Sequence, residues 1–279
     1  GPNGAGKTTL IRILSTLIIP TSGTANICGY DITGQEERVR NNIGVVLGDE
    51  RTFYFRLTGY QNLEFFGGIW GLKRASLRER IEEKLKLVGL EDAHKVPFMK
   101  FSTGMKKKLS LARALLMDPS VYLLDEPNSG IDPVSALRIR EIIFDQKRKG
   151  KIILLTTHNM DEAERMSDLI GILNKGVLVA IDTPSSLRQS LERRRLTVEF
   201  KKEELASPSK IETLIERLKN VSQISEISLD NFYLSMNIGK LLEINEVLRI
   251  LSESDIKIVG TKVEEARLED VFMKMTDSN

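Results

Sequence analysis

The feature that most constrains the fold stands at the very start of the chain. Residues 1–8 read Gly-Pro-Asn-Gly-Ala-Gly-Lys-Thr and satisfy G-x-x-x-x-G-K-[ST] at every fixed position. In such a loop glycines let the backbone curl, so that successive N–H groups converge on phosphate oxygens. Lys7 brings positive charge to the β- and γ-phosphates of a nucleotide, and the Thr8 hydroxyl is suited to ligate Mg²⁺. Leu10, Ile13, Leu14 and Leu17 then recur at helical spacing, so a helix over residues 8–17 is expected to turn its N-terminal dipole toward the anion. A strand normally precedes this loop. Because the loop opens the chain, that strand is expected upstream of Gly1, and the sequence reads as truncated at its N-terminus.

A second motif lies far downstream. Residues 121–127 read Val-Tyr-Leu-Leu-Asp-Glu-Pro. Four apolar residues ending in two acids predict a buried parallel strand that delivers carboxylates at its C-terminal edge. Asp125 suits Mg²⁺ binding through water, and Glu126 suits polarising a water for attack on the γ-phosphate. In isolation this is equally a strand ending in a solvated acidic turn. A phosphate loop in the same chain favours the functional reading. Ser129-Gly130-Ile131-Asp132-Pro133 follows as a turn into a helix, with Asp132 placed to cap it. Residues 151–156 form another buried-strand candidate and lead into Thr157-His158-Asn159. A lone histidine is more often structural, but His158 at a strand end beside a phosphate site is placed to sense the γ-phosphate.

Composition removes other classes. Lys plus Arg number 41 against 39 Asp plus Glu, a net of +2, which gives no reason to expect nucleic acid held by bulk charge. One cysteine and two histidines in 279 residues exclude an internal disulfide framework and all but exclude a Cys/His metal cluster. No run approaches the roughly 18–20 uncharged apolar residues that span a bilayer.

Taken together these residues resemble the ATP-binding subunit of an ABC transporter. Residues 1–9 (Gly1, Pro2, Asn3, Gly4, Ala5, Gly6, Lys7, Thr8 and Thr9) match its Walker A segment, and residues 121–126 its Walker B segment. Residues 129–132 resemble its D-loop, and His158 falls where the family has a switch histidine. Phe101-Ser102-Thr103-Gly104-Met105, ahead of the second motif, resembles the family signature Leu-Ser-Gly-Gly-Gln. By itself that stretch is also a simple serine helix cap.

The resemblance covers about residues 1–190 and implies an α/β P-loop NTPase core with a helical subdomain over about residues 57–117. It implies ATP and Mg²⁺ as cofactors and an ATPase whose turnover powers export of an unknown substrate through a separate integral membrane permease. Two ATPase subunits, identical or different, would face each other head to tail. Ser102, Thr103, Gly104 and Asp132 would then join the nucleotide site from the other subunit, and no nucleic acid is involved. The implied location is cytoplasmic, peripheral on the inner face of the cell membrane. The aromatic-rich residues 52–66 would lie near the coupling helix of the permease, although the same aromatics equally suit a subdomain core.

The chain departs from the family pattern in three places. Thr103 replaces a glycine and Met105 a glutamine in the signature. The family's Q-loop glutamine is missing, and Gly48 or Asp49 stands in its place. Asp49 is thereby a third candidate metal ligand beside Thr8 and Asp125. The aromatic that stacks on adenine in the family precedes the phosphate loop and is expected outside this sequence.

Beyond a charged connector over residues 187–195 the pattern changes. Leu196, Val198 and Phe200 alternate as in a half-buried strand, and Ile211, Leu214, Ile215 and Leu218 repeat as a helix face. Ile227 and Leu229 lead to an Asp230-Asn231 turn, and Phe232, Leu234, Met236 and Ile238 alternate after it. Ile244, Val247, Leu248 and Leu251 make a second helix face, and Ile256, Ile258 and Val259 a last strand. The order β-α-β-β-α-β predicts a small ferredoxin-like α+β accessory domain over residues 191–279. Leu268-Glu269-Asp270-Val271-Phe272 resembles the closing segment of ABC-2-type, drug-resistance exporter ATPases, and a regulatory or dimer-stabilising role is expected of the tail. Two other readings compete: a soluble ABC-type ATPase not coupled to transport, and a nucleotide-responsive module with little turnover. The first lacks the tandem ATPase unit or long coiled coil of such proteins, and Glu126 with His158 argues against the second.

Overall fold

Three apolar runs distant in sequence form one parallel sheet in the order Ile43–Val46, Val121–Asp125, Ile152–Thr156. The computed structural model describes residues 1–48, 52–189, 194–201, 208–221, 224–238, 241–254, 256–265 and 267–277. The middle strand is buried at every position, as a strand covered on both sheet faces must be. Its side chains divide by the two-residue period of a strand. Val121 and Leu123 join a core with Ile11, Ile27, Ile32, Val39 and Ile43. Tyr122 and Leu124 join a larger core with Leu109, Leu115, Leu116, Ile139 and Ile143. The sequence predicts a strand that delivers Asp125 and Glu126 at its C-terminal edge. The strand stops at Asp125 because Glu126 leaves the sheet with φ 49°, in the left-handed region.

The first helix spans Lys7–Leu14 and is shorter than the spacing predicted. Thr16 takes φ 60° and breaks the helical path before Leu17. Gly59–Ile69 begins with a capping box. The Thr58 side chain accepts from the Gln61 N–H, and the Gln61 side chain accepts from the Thr58 N–H. Arg74–Val88 ends on Gly89 at φ 70°, the usual left-handed glycine stop. With Thr103–Leu115, these helices bring Leu63, Leu77, Ile81, Leu85 and Val88 into the larger core.

The aromatic run splits between core and surface. Phe53 is buried, edge-on to Phe66 at 5.7 Å and 4.8 Å from Phe98. Tyr54, Phe55 and Phe65 remain exposed. The loop carrying Tyr54 and Phe55 is organised by Asn62, which is fully buried at 0 % exposure. Its Oδ1 accepts from the Tyr54 N–H at 2.8 Å, and its Nδ2 lies within 3.3 Å of the carbonyls of Tyr54, Leu57 and Thr58.

A hairpin that the hydropathy pattern did not announce joins Ile170–Asn174 to Val177–Asp182. Lys175 and Gly176 turn it at φ 46° and 81°, the double positive φ that a tight two-residue hairpin turn requires.

The chain divides into two compact units, Gly1–Met166 with Leu173–Leu178, and Ser167–Ile172 with Val179–Asn279. The boundary expected at 190/191 lies outside the described residues, as does the middle of the charged connector, residues 190–193. In the second unit the elements from Arg194–Phe200 to Ile258–Glu265 follow the order β-α-β-β-α-β. The sheet runs Ile258–Glu265, Arg194–Phe200, Tyr233–Ile238, Ser225–Asp230, with every neighbouring pair antiparallel. Leu196, Val198, Phe200, Leu234, Met236 and Ile238 pack against Ile211, Leu214, Leu218, Val247 and Leu251 of the two helices, Pro208–Lys219 and Leu241–Glu253. The hairpin turn falls on Asn231-Phe232, one residue later than expected, because Asp230 pairs directly with Tyr233. The last strand extends to Glu265. Its polar residues hid this extension from periodicity, because it is an edge strand, paired on one side only among the described residues.

Candidate functional site

The phosphate loop owes its shape to Gly4 and Gly6, at φ 79° and 102°. Open space surrounds the position of a Cβ at Gly4. The first intrahelical bond of Lys7–Leu14 runs from the Leu10 N–H to the Gly6 carbonyl at 2.9 Å. Gly6 has no side chain to cap the helix, so the N–H groups of Lys7, Thr8 and Thr9 open the helix without an intrahelical acceptor. The hairpin tip braces the loop from one side, where the Gly176 N–H donates to the Ala5 carbonyl at 3.0 Å. Gly1 has no room for a side chain, since a Cβ there would lie 2.2 Å from the Leu173 carbonyl oxygen.

Residues 2–9 line a cavity of about 390 Å³ together with Glu126, Ser129 and His158. Lys7 Nζ donates to the carbonyls of Gly1 and Pro2 at 2.7 and 3.1 Å and lies 3.4 Å from Glu126 Oε1. The other carboxylate oxygen of Glu126 lies 2.7 Å from His158 Nδ1. One carboxylate is thus gripped by the loop lysine and by the histidine. The fold also joins the two acid-bearing motifs directly. Thr8 Oγ1 donates to Asp125 Oδ2 at 2.8 Å, and Thr156 Oγ1 donates to Asp125 Oδ1 at 2.6 Å.

This donor set fits a nucleotide triphosphate and a hard divalent cation. The loop offers converging N–H groups and a lysine amine to phosphate. Thr8 and Asp125 offer adjacent oxygens, the small protein share that Mg²⁺ takes when phosphates and water complete its shell. Among the described residues no group of three His, Cys, Asp or Glu could hold a metal alone. The Asp49 ligand proposed from sequence lies outside the described residues.

The remaining predicted positions are not in this cavity. Ser102 caps Thr103–Leu115, its hydroxyl accepting from the Met105 N–H at 3.2 Å. Asp132 caps Pro133–Arg148, accepting from the Ser135 N–H at 2.9 Å. The same Ser135 hydrogen bonds hold the Asp132 carboxyl below its ordinary range. Gly104 sits between these caps, where a Cβ would lie 3.4 Å from Ser135 Oγ and 3.5 Å from Asp132 Oδ2. Ser102 and Thr103 are exposed. The four residues form a second cluster, separate from the phosphate cavity.

Two functional features escaped sequence reasoning. Lys107 reaches the backbone of Glu126 and Ser129, a tertiary contact that nothing in the run Lys106-Lys107-Lys108 announces. Arg113 stacks between Phe53 and Phe66, 4.7 and 5.0 Å from the ring centroids, and burial lowers its pKa to about 10. It lines a groove of about 290 Å³ with Leu17, Arg40, Phe66 and Trp70. Its helical spacing to Leu109 was a usable signal.

Comparison with known proteins agrees with this geometry. The family model for the ABC transporter matches residues 1–129. ABC transporter ATP-binding protein NatA of Bacillus subtilis is 37 % identical over 190 residues, covering 68 % of this chain and 77 % of that protein. Linearmycin resistance ATP-binding protein LnrL of the same organism is 30 % identical over 279 residues, covering 99 % of this chain and 88 % of its own length. A solved ATP-binding subunit of an ABC transporter superposes with a TM-score of 0.61 at 33 % identity, covering 68 % of this chain and 79 % of that one. The mixed α/β architecture with its parallel sheet, the phosphate loop on a helix N-terminus and the carboxylates at the sheet edge therefore coincide with sequence kinship, and the chain belongs to the ATP-binding subunits of the ABC transporter family.

Proposed function

We propose that the chain binds ATP with Mg²⁺ in the 390 Å³ cavity and hydrolyses it to power export through a separate membrane permease. The observation that carries this reading is the placement of Glu126, whose carboxylate faces the phosphate loop between Lys7 and His158. Bound nucleotide supplies the γ-phosphoryl group that is transferred to water. Glu126 orients that water and takes its proton, His158 holds the carboxylate in place, and Lys7 offers its charge to the phosphates. Thr8 and Asp125 would hold Mg²⁺.

In this reading the cluster of Ser102, Thr103, Gly104 and Asp132 acts on the nucleotide of a facing subunit. Two helix N-termini converge there, those of Thr103–Leu115 and Pro133–Arg148, and both attract anions. The 290 Å³ groove, with the exposed Tyr54, Phe55, Ile69 and Trp70 near it in sequence or space, is the surface offered to the permease. Among the described residues no helix is long and apolar enough to cross a membrane, which agrees with a partner that supplies the membrane path. The location proposed is the inner face of the cell membrane. We assign residues 1–190 to the ATPase domain and residues 191–279 to a ferredoxin-like accessory domain, which supports dimerisation or regulation. The substrate class proposed is a drug-like compound, as the name of the LnrL relative suggests.

Gel filtration of Glu126→Gln with and without ATP tests the reading. An ATP-dependent shift to dimer is expected, and a monomer at saturating ATP contradicts the facing-subunit arrangement.

A further inference from the structure

Glu126 occupies a left-handed backbone conformation, φ 49°, which a non-glycine residue keeps only where its surroundings fix it. One side of this fixing comes from the sheet. The Glu126 N–H donates to the Thr156 carbonyl at 3.1 Å and approaches Thr156 Oγ1 at 3.3 Å. The other side comes from the helix Thr103–Leu115. Lys107 Nζ donates to the Glu126 carbonyl at 2.7 Å and to the Ser129 carbonyl at 2.5 Å. The Ser129 N–H itself donates to the Glu126 carbonyl at 3.2 Å. Lys107 therefore ties both ends of the turn that follows the second motif. Its neighbours point elsewhere: Lys106 lies 5.7 Å from the Phe98 ring centroid, and Lys108 acts electrostatically on Asp132. Lys107, at the middle of the three, has the helical direction that reaches this turn.

We propose that Lys107 is the positioning residue for Glu126: by binding the carbonyls of Glu126 and Ser129 it locks the left-handed turn that aims the carboxylate at Lys7 and His158. The proposal rests on Glu126 being the general base. It also makes the helix that begins at Ser102 continuous with the base through one side chain, so displacement of that helix is transmitted to the Glu126 backbone. A charged donor bound to two carbonyls is stronger than a neutral one, and a misplacement of about 1 Å at a reacting group costs on the order of 100-fold in rate.

Lys107→Met and Lys107→Arg, made in the full chain, test this with two readouts. The first is kcat and KM for Mg²⁺-ATP. Lys107→Met is expected to lower kcat by about 10–100-fold with KM changed by less than about threefold, and Lys107→Arg, which keeps two donors, to recover to within about threefold of wild type. The second is hydrogen exchange in the nucleotide-free protein. Lys107→Met is expected to accelerate exchange over residues 126–132 while residues 7–14 and 194–200 keep their wild-type rates. Unchanged exchange over 126–132 overturns the proposal. So does acceleration throughout the first unit, or equal damage by methionine and arginine. A wild-type chain without turnover refutes Glu126 as the base, and the exchange measurement then still decides the lock.

Discussion

The Thr8 hydroxyl donates a 2.8 Å hydrogen bond to Asp125 Oδ2 across 117 positions of sequence. This bond places the start of the phosphate helix against the end of the buried middle strand, and so puts two side-chain oxygens side by side. Asp125 is 4 % exposed and also accepts from Thr156 at 2.6 Å. Asp125→Asn keeps the shape but removes the charge. Mg²⁺-dependent turnover is expected to fall at least 100-fold, since a bound metal contributes several kcal/mol to transition-state stabilisation. Stability should change by only about 1 kcal/mol, the net worth of one hydrogen bond. Phosphate release and a thermal melt check both parts. EDTA should silence the wild type to the same degree.

Among the described residues Lys7 is the one side-chain amine lining the cavity, and it is bound to carbonyls and to Glu126. A hydrogen bond to a charged group is worth about 1.5–3 kcal/mol. Lys7→Met should therefore weaken ATP binding by roughly 10- to 100-fold, measured by calorimetry or by a fluorescent analogue. Removing the lysine also leaves Glu126 with His158 alone, so turnover should fall further than affinity.

Asn62 holds the aromatic loop through four hydrogen bonds from a fully buried side chain. Asn62→Ala leaves the Tyr54 N–H without its acceptor and takes one donor from the carbonyls of Tyr54, Leu57 and Thr58, which keep the backbone N–H groups of Leu57, Phe98 and Asn62. A loss of about 1–3 kcal/mol is expected, a fall in Tm of roughly 2–4 °C per kcal/mol for a domain of this size. Differential scanning calorimetry reads it, and ATP affinity of the folded fraction should stay near wild type.

Gly44 tests packing at the sheet. A Cβ there would lie 2.7 Å from the Ala114 carbonyl oxygen and 2.9 Å from Pro119. Backbone cannot yield as a flexible side chain can, so Gly44→Ala should cost about 1–3 kcal/mol. Chemical denaturation should show the lower midpoint with an unchanged slope.

Much of this was legible in the sequence for identifiable reasons. The loop of residues 1–8 carries its conformation in Gly4 and Gly6 and its chemistry in Lys7 and Thr8. The middle strand announced itself because a strand buried on both faces leaves no polar position before Asp125. In the second unit, alternation at Leu196, Val198 and Phe200 marked a sheet with one covered face. The left-handed turn at Glu126 was hidden, because a tertiary clamp from Lys107 and Thr156 imposes it against local preference. The edge strand Ile258–Glu265 was only partly visible, since the charged Lys262 and Glu264 interrupt its pattern. The hairpin turn at Lys175-Gly176 was readable from its glycine but lay in a stretch without strong alternation.

The central claim is that Glu126, gripped between Lys7 and His158, is the base of an ATP hydrolysis reaction. Steady-state phosphate release by Glu126→Gln at saturating Mg²⁺-ATP measures this most directly. A glutamine keeps the size of the side chain and cannot take a proton. The account predicts a fall of about 100-fold or more, within the range that general-base catalysis contributes, with ATP binding retained. Turnover equal to wild type would contradict it.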